Sequence, residues 1–254
     1  RRQRQMCIRD RSDRIVAIAE GFVENLLGKR VPASKIDLIY NWVNTAFIRP
    51  LDRDNAFRRE HDLGNRFVVM YSGNIALTQG LETVIEAAAL LRDRPEAADI
   101  LFVIVGEDQA LAKLRDYCRD HQAEANVKLL PFQPRERLPI MLAAADVGAI
   151  VQKKNVVAFN MPSKTQVLMA SGRAILASVP AHGTAASAVQ QSGGGLVVQP
   201  ESASAFLEGV LKLYHDRPRT VAMGQQNRAF AEKNYSFQTA LDRYEACLDR
   251  SLSR

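Results

Sequence analysis

The chain has 254 residues, 47% hydrophobic and 24% charged, with 14 Gly and 10 Pro; these proportions exclude a disordered, collagen-like or low-complexity polymer and supply enough apolar material for a sizeable core. The formal charge of +6 is concentrated at one end: Arg1, Arg2, Arg4, Arg9, Arg11 and Arg14 face only Asp10 and Asp13, and the remaining 28 basic and 26 acidic groups nearly cancel, so nucleic acid is not an expected partner. Cys7, Cys118 and Cys247 are scattered, with no CxxC pair, which argues against a disulfide framework or a structural zinc site. No apolar run approaches the ~20 residues of a membrane span and no signal-peptide pattern opens the chain, so the expectation is a soluble, cytoplasmic protein.

The opening RRQRQMCIRDRS has neither a helical nor a strand period, and residues 1–12 are set aside as a non-native or disordered basic tail. Residues 15–19 predict a short strand. A helix follows over 20–27, with apolar Phe22, Val23, Leu26 and Leu27 at helical spacing, and a second strand over 36–40. The polar stretch NWVNTAFIRPLDRDN then predicts a connection. From Phe67 a regular alternation begins. Strands are predicted at 67–72, 100–105, 127–130, 147–151, 174–178 and 196–198. Helices are predicted at 80–92, 110–122, 135–144, 163–171, 184–191 and 202–215.

Several of these strands are apolar throughout, which predicts a parallel sheet covered on both faces, an α/β Rossmann-like doubly wound domain. Helices over 220–234 and 237–252 close the chain. The first two strands fit poorly into this six-strand unit and read as the tail of a preceding domain. The expected organisation is a remnant at 13–49, a linker at 50–65, a ligand-binding domain at 66–216 and closing helices at 217–254.

In an open parallel sheet, ligands bind on the loops beyond the carboxyl ends of the strands. Three such loops stand out. SGNIALTQG holds Gly73, Asn74, Gln79 and Gly80; its glycines let backbone approach a ligand, and the helix expected from Gly80 offers amide groups to an anion, although the loop is neither GxGxxG nor a P-loop. In MPSK, Pro162 opens a helix, Ser163 is a candidate cap, and Lys164 places a cation where the helix dipole is already positive, an arrangement suited to an anionic ligand. In AHGT, Gly183 and Thr184 present further amides and His182 is a weaker candidate. Lys153 and Lys154 add charge near the same rim, though a lysine pair is usually a wet loop. Asp52-Arg53-Asp54 matches a DxD metal motif in form, but lies in the connection and reads as a solvated charge cluster. The set suits a diphosphate neutralised by backbone dipoles and lysine, with no metal and no cofactor.

The blocks RIVAIAEGFVENLL, KIDLIYNWVNTAFIRP, YSGNIALTQGLETVIEAAALL, LPFQPRERLPIMLAAADVGAIVQK, MPSKTQVLMASGRAILAS and GGGLVVQP resemble, in order and spacing from about Asp13 onward, the carboxyl half of a GT-B glycosyltransferase of family 4, especially its bacterial exopolysaccharide (colanic-acid) branch. The resemblance implies a nucleotide-diphosphate-sugar donor as substrate and metal-independent transfer with retention of configuration. It implies a saccharide or lipid-linked acceptor held by an absent amino-terminal domain, final helices that cross back to that domain, and room for peripheral membrane association at the cytoplasmic face. On this likeness the donor site comprises Gly73, Asn74, Gln79, Gly80, Lys153, Pro162, Ser163, Lys164, Gly183 and Thr184, with Lys164 stabilising the departing diphosphate. The family's paired glutamates are missing: Phe159 and Val167 stand at those positions, and Ala185 and Ala186 follow the GT turn. A non-catalytic nucleotide-sugar-binding or assembly module is therefore the alternative, and a sugar-nucleotide epimerase a weaker one. The truncated chain alone is expected to be inactive.

Overall fold

A computed structural model of the chain describes residues 11–75, 79–156 and 161–252. Two separate parallel sheets organise it. The smaller pairs β1 (Ile15–Ala17) with β2 (Ile36–Leu38), joined through α1 (Glu20–Gly28). The larger holds β3 (Phe67–Ser72), β4 (Ile100–Gly106), β5 (Val127–Pro131), β6 (Val147–Val151), β7 (Ala174–Ser178) and β8 (Gly195–Val198). Its order is β5-β4-β3-β6-β7-β8, with every pair parallel. The chain winds outward from β3 to β5, then returns to the centre at β6 and winds the other way. Loops leaving β3 and β6 therefore diverge and open a crevice at their carboxyl ends.

The helices are α2 (Ala56–Glu60), α3 (Glu82–Ala89), α4 (Asp108–Asp120), α5 (Leu138–Ala143), α6 (Lys164–Ala170), α7 (Thr184–Ser192), α8 (Ala203–His215), α9 (Arg217–Tyr235) and α10 (Phe237–Leu252). Strand alternation sorts the core into two layers. Phe67, Val69 and Tyr71 of β3 pack with α3, α4 and α8, whereas Val68 and Met70 pack with α5, α6, α7 and α9. Both faces of the sheet are thereby dry, which is why its strands carry apolar runs instead of alternating with polar residues.

The stretch ahead of β3 is more ordered than its polar sequence predicts. The Asn55 side chain caps α2 by accepting from the Phe57 and Arg58 amides, and Phe57 and Leu63 are fully buried. Arg58, also buried, donates to the carbonyls of Gly64, Arg66 and Ala144. Arg53 corrects the reading of Asp52-Arg53-Asp54 as merely solvated: the two aspartates are exposed, but Arg53 donates to Asp146 Oδ1 at 2.6 Å. Asp146, the one acid in the apolar run before β6, also accepts from the Val68 amide at 2.7 Å, so it ties this segment to the sheet.

Two helix ends differ from the sequence pattern. The helix expected over 80–92 begins at Glu82 and stops at Ala89, followed by tighter turns to Asp93. α9 starts at Arg217 because the Asp216 side chain caps the Arg219 amide at 3.1 Å and Pro218 occupies the first turn, where its missing N–H is harmless. The last helix, α10, turns back to the small sheet: Ala240 and Cys247 pack with Ile39 and Val16, and Arg14 and Arg250 both donate to Asp37 at 2.6 Å.

Candidate functional site

The rim at the carboxyl ends of β3 and β6 is built by local constraints. Beyond β3 the Gly73 amide donates to the Val105 carbonyl at 3.1 Å, and Tyr71 Oη donates to the Asn74 carbonyl at 2.7 Å. Ile75 lies over Gly106 at the end of β4, a position where a Cβ would collide with it. These contacts fix the loop's first turn. Gly73 has φ +136°, a conformation that favours glycine, and a Cβ there would sit 3.3 Å from Lys164 Nζ. Gly80, at φ +65°, packs against the stem of Lys153.

Lys164 is the first residue of α6, and its side chain crosses to β3. Nζ lies 3.4 Å from the centroid of the Tyr71 ring, is shielded from solvent and has no hydrogen-bond partner. Burial pushes this amine down to about 7, and the π face of Tyr71 is the attraction that opposes the fall. A shielded ammonium with three unused donors is a costly arrangement that an anion at Gly73 would relieve. On the same helix Thr165 Oγ1 and Gln166 Oε1 are also buried without partners. Those two residues, and Tyr71, were not singled out from sequence; polar residues on the buried face of a short helix are the signal that was available for the first two.

The other predicted residues lie around this pair with differing exposure. Asn74 is exposed on the loop and Gln79 is partly buried beside Gly80. Pro162 is half-buried, but Ser163 is exposed and its side chain makes no capping hydrogen bond, contrary to the expectation from sequence; Ser163 itself lies in helical backbone geometry, which turns its hydroxyl away from the amides it would cap. The amides expected at Gly80 belong instead to the turn ahead of Glu82, where the Thr83 amide donates back to the Gly80 carbonyl. Lys153 is partly buried and Lys154 exposed.

Gly183 and Thr184 are buried at the start of α7, one strand along the same edge. They open onto a cavity of about 580 Å³ whose far wall is Glu20, Gly21, Glu24 and Asn25 of α1, with exposed His182 at its side. The carboxylate of Glu20 accepts a hydrogen bond from Tyr40 Oη. The rim thus has two parts: Gly73 with Lys164 and Gly80 with Lys153 at the crevice, and Gly183-Thr184 facing the small sheet's helix. Val167 is partly buried and packed on the core, while Phe159 lies outside the described residues. Among the described residues no group of three or more His, Cys, Asp or Glu side chains gathers to hold a metal ion, and no helix is long and apolar enough to cross a membrane.

The Gly73–Lys164 contact predicts the effect of a minimal change. Gly73→Ala places a methyl against Nζ and forces a positive φ on an L-residue, a strain on the order of 1–3 kcal/mol. The expected result is a tenfold or greater loss of affinity for a nucleoside diphosphate, read by calorimetry, with the far-ultraviolet circular dichroism unchanged.

Comparison with known proteins agrees with this architecture. The family model for glycosyl transferases group 1 matches residues 52–230. The colanic acid biosynthesis glycosyl transferase WcaI of Escherichia coli is 31% identical over 227 residues, covering 87% of this chain and 54% of that protein. A GDP-mannose-dependent α-(1-6)-phosphatidylinositol monomannoside mannosyltransferase of Mycobacterium tuberculosis is 27% identical, covering 82% of this chain and 54% of that one. Among solved structures, HepE of Anabaena in complex with UDP superposes with a TM-score of 0.81 at 17% identity, over 94% of this chain and 64% of that chain. The chain spans about half the length of the curated relatives it matches. Its fold is that of GT-B glycosyltransferases. With the matched region running from the Asp146 clamp through the Gly73–Lys164 rim to α9, the chain belongs to the family of group 1 glycosyl transferases.

Proposed function

We propose that this chain is the donor-binding half of a glycosyltransferase that moves a sugar from a nucleoside-diphosphate sugar to an acceptor in exopolysaccharide or cell-surface glycan synthesis. The observation that carries the reading is the shielded, unpartnered Lys164 amine against Gly73 at the crevice where the strand order reverses. Cleavage of the sugar–phosphate bond places negative charge on the leaving diphosphate. Lys164 holds that charge, Gly73 and Gly80 let the backbone pass close to the phosphates, and Asn74, Gln79, Lys153, Pro162, Ser163, Gly183 and Thr184 line the approach. The reaction on this reading is metal-independent and retains the anomeric configuration. The acceptor, a saccharide or a lipid-linked saccharide, is held by a further domain at the cytoplasmic face of the membrane, and the wider site closes only when that domain is present.

Titration of the chain with UDP, GDP and ADP, each beside its nucleoside, tests the reading. At least one diphosphate is expected to bind ten or more times tighter than its nucleoside, and equal affinities for every pair would overturn it. The absence of a carboxylate at Val167 favours a second reading, a binding module without turnover. Joining the chain to the amino-terminal half of its own full-length protein and assaying sugar transfer separates the two.

The closing helix supports a two-part enzyme. Phe237, Leu241, Tyr244, Leu248 and Leu252 recur at three- and four-residue spacing along α10, all exposed, and Trp42 stacks edge-on to Phe237 at 5.8 Å. So long an apolar stripe on a helix already anchored through Ala240 and Cys247 calls for a cover. On this proposal the rest of a protein about twice this length supplies it. Expressed alone, the chain is expected to self-associate through the stripe. Leu248→Glu with Leu252→Glu, at side chains 61% and 83% exposed, is expected to yield a monomer in sedimentation velocity with an unchanged melting temperature.

A further inference from the structure

The edge of the six-stranded sheet opposite the Gly73–Lys164 rim holds a cavity of about 690 Å³. It opens where β3, β6 and β7 begin, with Phe67 and Ala174 in its wall and α9 along its side. A six-residue strand is about 20 Å long, so this cavity is remote from the rim. Its volume lies within the range typical of small-molecule sites, roughly 300–1,000 Å³.

The charges around it do not balance. Arg53, Arg173, Arg217 and Arg228 line it with only Asp146 and Glu232. Asp146 is shared already: Arg53 bonds it at 2.6 Å, and Arg58 approaches behind it to 3.7 Å. Glu232 is taken by Arg228 at 2.7 Å, and Arg217 reaches outward to Asp99 at 3.1 Å. Arg173 alone of the four has no carboxylate within 4.0 Å among the described residues. Among the described residues its guanidinium donates to the Leu51 carbonyl at 2.8 Å, and its Nε is buried without a partner there. Burial depresses its proton affinity; the more distant charge of Asp146 opposes that fall, and the like charge of Arg53 adds to it. A guanidinium with unused donors and no carboxylate in direct contact, in the wall of a largely apolar cavity, is stabilised when an anion meets it. Phe67, Ala174 and Val221 beside it suit an apolar body.

We propose that this cavity is a second binding site, for a small organic acid carrying one carboxylate on an apolar body. The carboxylate pairs with Arg173, one negative charge for the one uncommitted positive charge, and the apolar body lies against Phe67 and Val221. The assignment stands independently of the donor site.

Heptanoate, acetate and 1-heptanol, titrated into ¹⁵N-labelled protein, separate the contributions of head and body. Heptanoate is expected to shift the Ala174 and Val221 amides saturably and to bind at least tenfold tighter than acetate or heptanol. Arg173→Met is expected to weaken heptanoate tenfold or more while leaving heptanol unchanged. Val221→Glu, at a side chain 63% exposed, puts charge and bulk at the mouth and is expected to abolish heptanoate binding without unfolding the chain. Equal affinity for heptanoate and heptanol, heptanoate binding untouched by Val221→Glu, or shifts confined to Gly73 and Lys164 would each overturn the proposal.

Discussion

Exchange of Lys164 for methionine is expected to raise the stability of the ligand-free protein while removing most of its affinity for nucleoside diphosphates. The two effects have one cause. In the folded chain burial brings the amine down to about 7, whereas in an unfolded chain it titrates near 10.4. Between those values the unfolded state binds more protons than the folded state, so stability of the wild-type chain rises with pH across that window, by at most about 1.4 kcal/mol per pH unit. Below pH 7 both states hold the proton, the slope vanishes and the full penalty of the buried charge remains. Methionine fills the same channel over Tyr71 without a charge. Its advantage in melting temperature is therefore expected to be greatest at pH 6.5 and to shrink towards pH 10.

A bound diphosphate reverses the balance by restoring a counter-charge to the amine. Binding above pH 7 then takes up a proton, affinity falls by up to tenfold per pH unit, and the calorimetric heat depends on the ionisation enthalpy of the buffer. Hydrogen bonds to charged groups contribute about 1.5–3 kcal/mol each, so the variant is expected to lose ten- to a hundredfold in diphosphate affinity and nothing for the nucleoside. Equal losses for both ligands would show that Lys164 shapes the pocket without meeting the phosphates.

The large sheet was legible because its strands are apolar on both faces and its helices amphipathic; all six strands lie within a residue of their predicted bounds. Less legible was whatever depends on a distant partner. The segment 50–65 reads as polar because Arg53, Arg58 and Asn55 are polar, yet each finds acceptors that the fold brings from far along the chain: Asp146, the Ala144 carbonyl and the Ile140 carbonyl. At the site, the glycines and Lys164 could be placed on one edge by topology alone. That Lys164 reaches across to the Tyr71 ring, and that Ser163 makes no cap, follows from how α6 leans on the sheet, which Leu168 sets by packing against Gly148. The α1 wall of the cavity at Gly183-Thr184 was illegible from periodicity for another reason: the small sheet belongs with residues beyond β8, through α10, a return that no local period signals and that the family resemblance alone implied.

Replacing Gly224 with valine is expected to unfold the protein or leave it at the edge of stability, and to abolish nucleotide binding although Gly224 touches no part of the rim. A Cβ at this position would be driven into the Gly172 carbonyl and lie 3.4 Å from the Ala174 amide nitrogen, so α9 rests backbone to backbone on the entry to β7. One turn later Asn227, fully buried, donates to the Gly194 carbonyl at 2.6 Å and the Arg173 carbonyl at 2.9 Å, and accepts from Ser192 Oγ at 2.8 Å. Arg228 beside it donates to the carbonyls of Ile48 and Ala170 at 2.8 Å and of Thr45 at 3.0 Å. Lifting α9 far enough to seat a valine breaks these together. Overpacking costs about 1–3 kcal/mol and each orphaned buried group a further 1–3, against a total stability of about 5–15 kcal/mol. Ala170 ends the helix that begins at Lys164, so the same displacement frees α6 at its far end and loosens the amine's place over Tyr71. Urea unfolding should register a loss of about 4 kcal/mol or more, and calorimetry at low temperature, where a folded fraction persists, a loss of diphosphate affinity. A variant as stable as the wild type would mean that α9 can ride higher on β7 than its hydrogen bonds to Arg173 and Gly194 allow.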